Sequence, residues 1–153
     1  KEDCVVEFLT EVIEYGHRQG LRNSLCVLPS RDESHGTGNW PRLASIPHLD
    51  IFGTDPYWII FEKDLQEFVG TASRQVKQVC AEHRLQPQVW IQGYKIPAGR
   101  EDEVVQATLL ARECGVEDVA VWGFDACRHI SWIRPDNPDL VWAKVKEAWA
   151  KVR

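Results

Sequence analysis

The chain has no methionine, no Cys-x-x-Cys pair, no Gly-x-Gly-x-x-Gly run and no basic cluster longer than two residues. No apolar stretch approaches the roughly 20 residues of a membrane span. Each absence removes a class of function. Without a basic face there is nothing to hold a phosphate backbone, and the net charge of −5 repels one. Without a glycine-rich strand-to-helix turn a dinucleotide site has no support. The five cysteines are odd in number and lack metal spacing. They read as small buried hydrophobes rather than as a disulfide framework or a zinc site. Unpaired thiols tilt the compartment slightly towards the cytoplasm and do not fix it. The missing methionine, with a helical pattern starting at Lys1, reads as a piece of a longer protein.

What is present is a repeated alternation. Val5, Phe8, Leu9, Val12 and Ile13 recur at helical spacing, with Gly20 as a stop. Ser24–Leu28 is a short apolar run ended by Pro29, a buried strand. A polar loop follows from Ser30 to Asn39, then a short helix from Trp40 with Pro41 in its first turn. Leu49–Thr54 is the second strand. Asp64 opens a helix to about Arg84, with Glu67 three residues on as in a capping box. Gln88–Gln92 is the third strand, Arg100–Cys114 the next helix, and Asp118–Phe124 the fourth strand. Asn137-Pro138 caps a last helix whose stripe is Val141, Val145, Ala148, Trp149 and Val152.

The strands are short and apolar rather than alternating, as expected when both faces of a parallel sheet are covered, with right-handed crossovers between them. The unusual residues all follow strands: Arg31, Asp32, Glu33 and His35; Asp55, Tyr57 and Trp58; Gln92, Tyr94 and Lys95; Trp122, Asp125 and Arg128. Loops converging at the carboxyl ends of adjacent strands are how barrel active sites are built. The expected fold is therefore α/β: four β/α units with parallel strands, the C-terminal half of a (β/α)8 TIM-type barrel. Such a half leaves two strand edges unpaired. Residues 1–153 are accordingly expected to form one unit, completed by an upstream half, a partner chain or a second copy.

The segments Leu49-Asp-Ile-Phe-Gly-Thr-Asp-Pro-Tyr-Trp58, Val89-Trp-Ile-Gln-Gly-Tyr-Lys-Ile-Pro-Ala-Gly99 and Val119-Ala-Val-Trp-Gly-Phe-Asp125 resemble strand ends of glycoside-hydrolase-like barrels. The resemblance implies a carbohydrate substrate and two working carboxyl groups. The chain supplies Asp32, Glu33, Asp55 and Asp125 as candidate carboxylates, with Asp55 and Asp125 the leading catalytic pair. Arg31, Asp32, Tyr57, Trp58, Gln92, Tyr94 and Trp122 would bind the substrate. It departs from the pattern at Gln92, where many such barrels carry a catalytic Glu on the strand before last. A Gln neither attacks nor titrates, so the carboxyl pair lies elsewhere or the barrel only binds sugar. The residues support a sugar site on their own terms: flat aromatic platforms suit the C–H faces of a sugar, and carboxylates and amides suit its hydroxyls.

Other readings stand beside these. Asp55 before Pro56 fits an Asx turn. Asp50 and Asp118, at the opposite ends of their strands, fit structural pairing. Trp90, Trp142 and Trp149 fit core packing, and Trp122 fits a barrel floor as well as a ligand platform. Asp32, Glu33 and His35 would hold a metal only with a second cluster, such as His48 and His129 if the loops converge, so no metal and no cofactor are expected. Cys127 and His129, two apart in one loop, do not make a usable nucleophile dyad. The expected function is a glycoside hydrolase, with a non-catalytic carbohydrate-binding barrel and a metal-dependent barrel hydrolase as alternatives. The expected partner is a carbohydrate, with no nucleic acid and no membrane, and the missing half-barrel or a homodimer closes the sheet.

Overall fold

A computed structural model describes residues 1–29 and 37–152. Its first element is α1 (Glu2–Arg18), with Glu2 and Asp3 at its positive end and His17 and Arg18 at its negative end. There follow β1 (Ser24–Val27), the short α2 (Trp40–Ala44) and β2 (Ile51–Thr54). Asn39 caps α2 by accepting from the Arg42 N–H at 3.2 Å. Then come α3 (Leu65–His83), β3 (Gln86–Gln92), α4 (Glu103–Glu113), β4 (Asp118–Trp122) and α5 (Pro138–Val152). The expected cap on α3 is formed: the Asp64 carboxylate accepts from the Glu67 N–H at 2.8 Å.

All four strands are parallel and lie in the order β1-β2-β3-β4. The register aligns Val27 with Thr54, Thr54 with Val89 and Gln92 with Trp122, so the carboxyl ends form one rim. Side chains alternate across the sheet. Leu25, Val27, Phe52, Val89, Ile91, Val119 and Val121 join the core beneath the helices. Cys26, Trp90 and Trp122 stand on the opposite face, where they line one cleft. Among the described residues no helix is long and apolar enough to cross a membrane.

Several boundaries differ from expectation, among them the start of β2, which falls at Ile51 rather than Leu49. β3 starts at Gln86, two residues early, in spite of Pro87. The Gln86 N–H donates to Asp50 on the β2 side, so residue 87 directs its missing N–H towards β4. Pairing with β4 begins only at Gln88, and the proline sacrifices no ladder bond. α4 begins at Glu103 because Arg100–Asp102 form a turn, closed by the Glu103 N–H on the Arg100 carbonyl at 3.0 Å. β4 stops at Trp122 because Gly123 turns out of the strand with φ 121°.

Candidate active site

Three of the loops at the carboxyl rim are stitched together by hydrogen bonds. Gln92 is fully buried. Its Oε1 accepts from the Ile59 N–H at 3.2 Å and its Nε2 donates to the Tyr94 carbonyl at 2.8 Å, joining the loops after β2 and β3. The loop after β3 is tied in turn to the loop after β4. The Lys95 N–H donates to the Ile133 carbonyl at 2.9 Å, and the Asp136 N–H to the Ile96 carbonyl at 3.1 Å. The ends of β3 and β4 also meet closely. The Gly93 N–H donates to the Trp122 carbonyl at 2.9 Å, and a Cβ on Gly93 would sit 2.6 Å from Val121 Cγ1. Only glycine permits that approach, which brings Tyr94 beside Trp122.

The result is a cleft of about 560 Å3 lined by Cys26, Asp55, Tyr57, Ile60, Trp90, Tyr94, Lys95, Trp122, Trp132 and Ile133. Tyr57 meets Tyr94 edge-on at 5.3 Å between ring centroids, and Tyr94 meets Trp122 at 4.8 Å. Trp122 is 42% exposed, so the aromatic chain offers a ring to solvent.

Asp55 forms the polar centre of this wall. Its Oδ1 is buried and has no hydrogen-bond partner among the described residues. Burial pushes its carboxyl up from 3.8 to about 6, and its own backbone N–H opposes the shift only in part. The Asx turn is not formed, because the Tyr57 N–H bonds to the Asp55 backbone carbonyl at 2.7 Å instead. Burial, then the neighbouring Asp55 charge, raises the phenols of Tyr57 and Tyr94, the latter to about 12. Burial, then Asp55, likewise holds the Cys26 thiol at about 12, so it stays protonated.

Asp125 does not share this cleft. It lines an adjoining groove of about 510 Å3 that shares Trp90 and Trp122 with the cleft. There Arg128 grips both oxygens of its carboxylate, Nε at 2.8 Å and Nη2 at 3.2 Å. Hydrogen bonding to Arg128 holds the carboxyl below the usual range. Arg128 Nη1 also reaches Asp139 of α5 at 2.7 Å. This bridge spans a tight turn in which Asp125, Ala126 and Cys127 all take left-handed φ of 49–53°. Side-chain-bearing residues adopt that conformation at a cost of about 1–2 kcal/mol each.

The other expected site residues fall as follows. Trp58 is a core residue and not a sugar platform: it is 0% exposed, and its Nε1 donates to Glu103 Oε2 at 2.6 Å. The residue sits where the chain turns back under the rim, so its ring faces α4 rather than the ligand side. Gln92 has both polar ends spent on backbone, so it fixes the loops and presents nothing to a ligand. Arg31 and Asp32, with Glu33 and His35, lie outside the described residues. Among the described residues no group of three metal-ligating side chains exists. His48 stacks on His17 of α1 at 3.8 Å between ring centroids, whereas His129 lines the groove with Asp125. Asp50 and Asp118 take structural parts, accepting from the Asn23 N–H and from Gln86 and Gln88. Trp142 and Trp149 pack on the core as expected.

Six cleft residues lie outside the expected site set, Cys26, Ile60, Trp90, Lys95, Trp132 and Ile133, although Lys95 is among the residues noted after the strands. Trp90 is not a core residue, contrary to the reading from its place in the strand alternation. It stands on the cleft face, its Nε1 donating to Gln88 Oε1 at 2.7 Å. The alternation Val89–Trp90–Ile91 carries the signal, since both flanking residues are fully buried on the helix face. Trp132 lies in a loop with no periodicity to place it.

No family model and no curated protein matches the sequence. Among solved structures the chain is similar to the endo-beta-1,4-mannanase from Thermotoga petrophila, with a TM-score of 0.60 and 15% sequence identity. The likeness covers 99% of this chain and 40% of that one. It is a likeness of fold. The four parallel β/α units are those of a half (β/α)8-type barrel, with a glycoside-hydrolase-like barrel fold, and the chain spans 40% of the mannanase chain's length.

Proposed function

We propose that this chain supplies one wall of a carbohydrate-active barrel, and that the barrel hydrolyses glycosidic bonds with Asp55 as its proton-transferring carboxyl. The observation that carries the reading is the buried, unpartnered Oδ1 of Asp55 on an aromatic cleft. A carboxyl held near 6 by burial keeps its proton at mildly acidic pH and gives it up easily. Glycosidase chemistry asks for such an acid next to a second, ionised carboxylate. Tyr57, Tyr94 and Trp122 are assigned to stacking on the sugar, joined by Trp132. Gln92 is assigned to holding Tyr94 and the loop after β2 in place.

The second carboxylate is assigned to the remaining half of the barrel, because Asp125 is committed to Arg128. We assign that half to sequence or a copy pairing with the free edges of β1 and β4. The apolar groove beside β4, lined by Val121, Phe124, Trp142, Val145 and Trp149, fits that closure.

The test is Asp55→Asn in the complete protein, assayed on a panel of aryl glycosides and oligosaccharides. Turnover is expected to fall about 10²–10⁴-fold with little change in affinity. Unchanged turnover would remove Asp55 from the chemistry. The alternative, a barrel that binds sugar without cleaving it, is favoured by Gln92 standing where related barrels carry a Glu. It predicts saturable quenching of tryptophan fluorescence by an oligosaccharide with no product released.

A further inference from the structure

Resting on the carbohydrate reading of the cleft, we infer that its sugar carries an anionic group, selected by Lys95 at the edge of the aromatic wall. Lys95 is the only cationic residue among the described residues lining the cleft. Its position is set by the backbone. It takes a left-handed φ of 50°, and its N–H is held by the Ile133 carbonyl at 2.9 Å. The next residue is held as well, through the Asp136 N–H on the Ile96 carbonyl at 3.1 Å. The side chain therefore leaves the loop from a pinned base. Its Nζ lies 5.5 Å from the centroid of the Trp132 ring, within cation–π range.

None of the ion pairs among the described residues uses Lys95. An aromatic face leaves the three N–H donors of the ammonium free, where a carboxylate would have taken them. The other charged groups nearby are differently placed. Among the described residues Asp55 is the one carboxyl lining the cleft, and Arg128 in the adjoining groove is taken up by Asp125 and Asp139. His129 lines that groove too. A sugar stacked by its C–H face on Trp122 or Trp132 presents its exocyclic group at the ring's edge. A carboxylate or sulfate there meets the compact charge of a lysine, which suits a single anionic oxygen better than a planar fork.

The experiment titrates the complete protein with three trisaccharides, followed by tryptophan fluorescence. They are identical except for a terminal glucose, glucuronate or 6-sulfated glucose. It is run at pH 5, where Asp55 keeps its proton. An anionic sugar is expected to bind about three- to fivefold more tightly than the neutral one, as a partly exposed ion pair allows. The preference is expected to shrink as salt is added, to vanish in Lys95→Met and to persist in Lys95→Arg. The better of the two anionic sugars identifies the group. Equal binding of all three, or a preference that survives Lys95→Met, overturns the inference while leaving the sugar cleft standing. If none of the three quenches, the carbohydrate reading itself fails.

Discussion

Asp55 and Asp125 each lie just beyond a parallel strand, one after Thr54 and one after Gly123-Phe124. Their side chains nevertheless have opposite chemistry. Around Asp55 the wall is aromatic and supplies no partner for Oδ1 among the described residues, so burial outweighs the opposing backbone N–H and raises the carboxyl to about 6. Around Asp125 a guanidinium grips both oxygens, and the carboxyl stays ionised. Residue type and strand-end position set where a carboxyl is. The neighbour three residues on, Arg128 or its lack, sets what it does. The first environment is poised to exchange a proton, and the second holds a strained turn together.

The largest expected effect comes from removing the poised carboxyl. Beyond the loss of turnover, Asp55→Asn should change how stability depends on pH. The folded value is raised, so the unfolded chain gives up this proton first. The Asp55 contribution to stability is therefore full below 3.8 and is lost as pH rises to about 6. Thermal melts across that window should show a decline in the parent protein that is smaller in the variant. A decline of equal size in both would place the titration elsewhere.

Next in size is the buried amide. Gln92→Ala leaves the Ile59 N–H and the Tyr94 carbonyl without partners and opens a cavity. The expected loss is about 2–4 kcal/mol in chemical denaturation. Loss of the clamp should also weaken sugar binding, because Tyr94 is freed. Stability within about 0.5 kcal/mol of the parent would show that Gln92 does not hold the loops. Trp122→Ala should weaken oligosaccharide binding roughly two- to tenfold while leaving the fold intact. Undiminished affinity would take Trp122 out of the platform. The smallest effect is expected from Asp125→Asn. It should loosen the turn around Cys127 without moving the acidic limb of the pH–rate profile. A moved limb would break the contrast between the two aspartates.

The layered order of the fold was legible because helices and buried strands differ in period and length. The strands at Ser24 and Asp118 start where spacing put them, and the second strand and the helix after β3 lie in the expected places but start two and three residues late. The convergence of Asp55, Tyr57, Tyr94 and Trp122 followed from parallel strands sharing a rim. Trp58 was not legible, because one residue decides whether a side chain after a strand faces the ligand or the core. Gln92 was misjudged for a similar reason: a sequence shows an amide but not the two backbone groups that consume it. The commitment of Asp125 to Arg128 required a left-handed turn that Asp-Ala-Cys gives no hint of adopting.

The central claim is that Asp55 holds its proton into the mildly acidic range. Carboxyl-carbon NMR of the complete protein, with Asp55→Asn to assign the signal, measures this directly. The account predicts a midpoint near 6 for Asp55. A midpoint at the ordinary aspartate value of about 4 would contradict it.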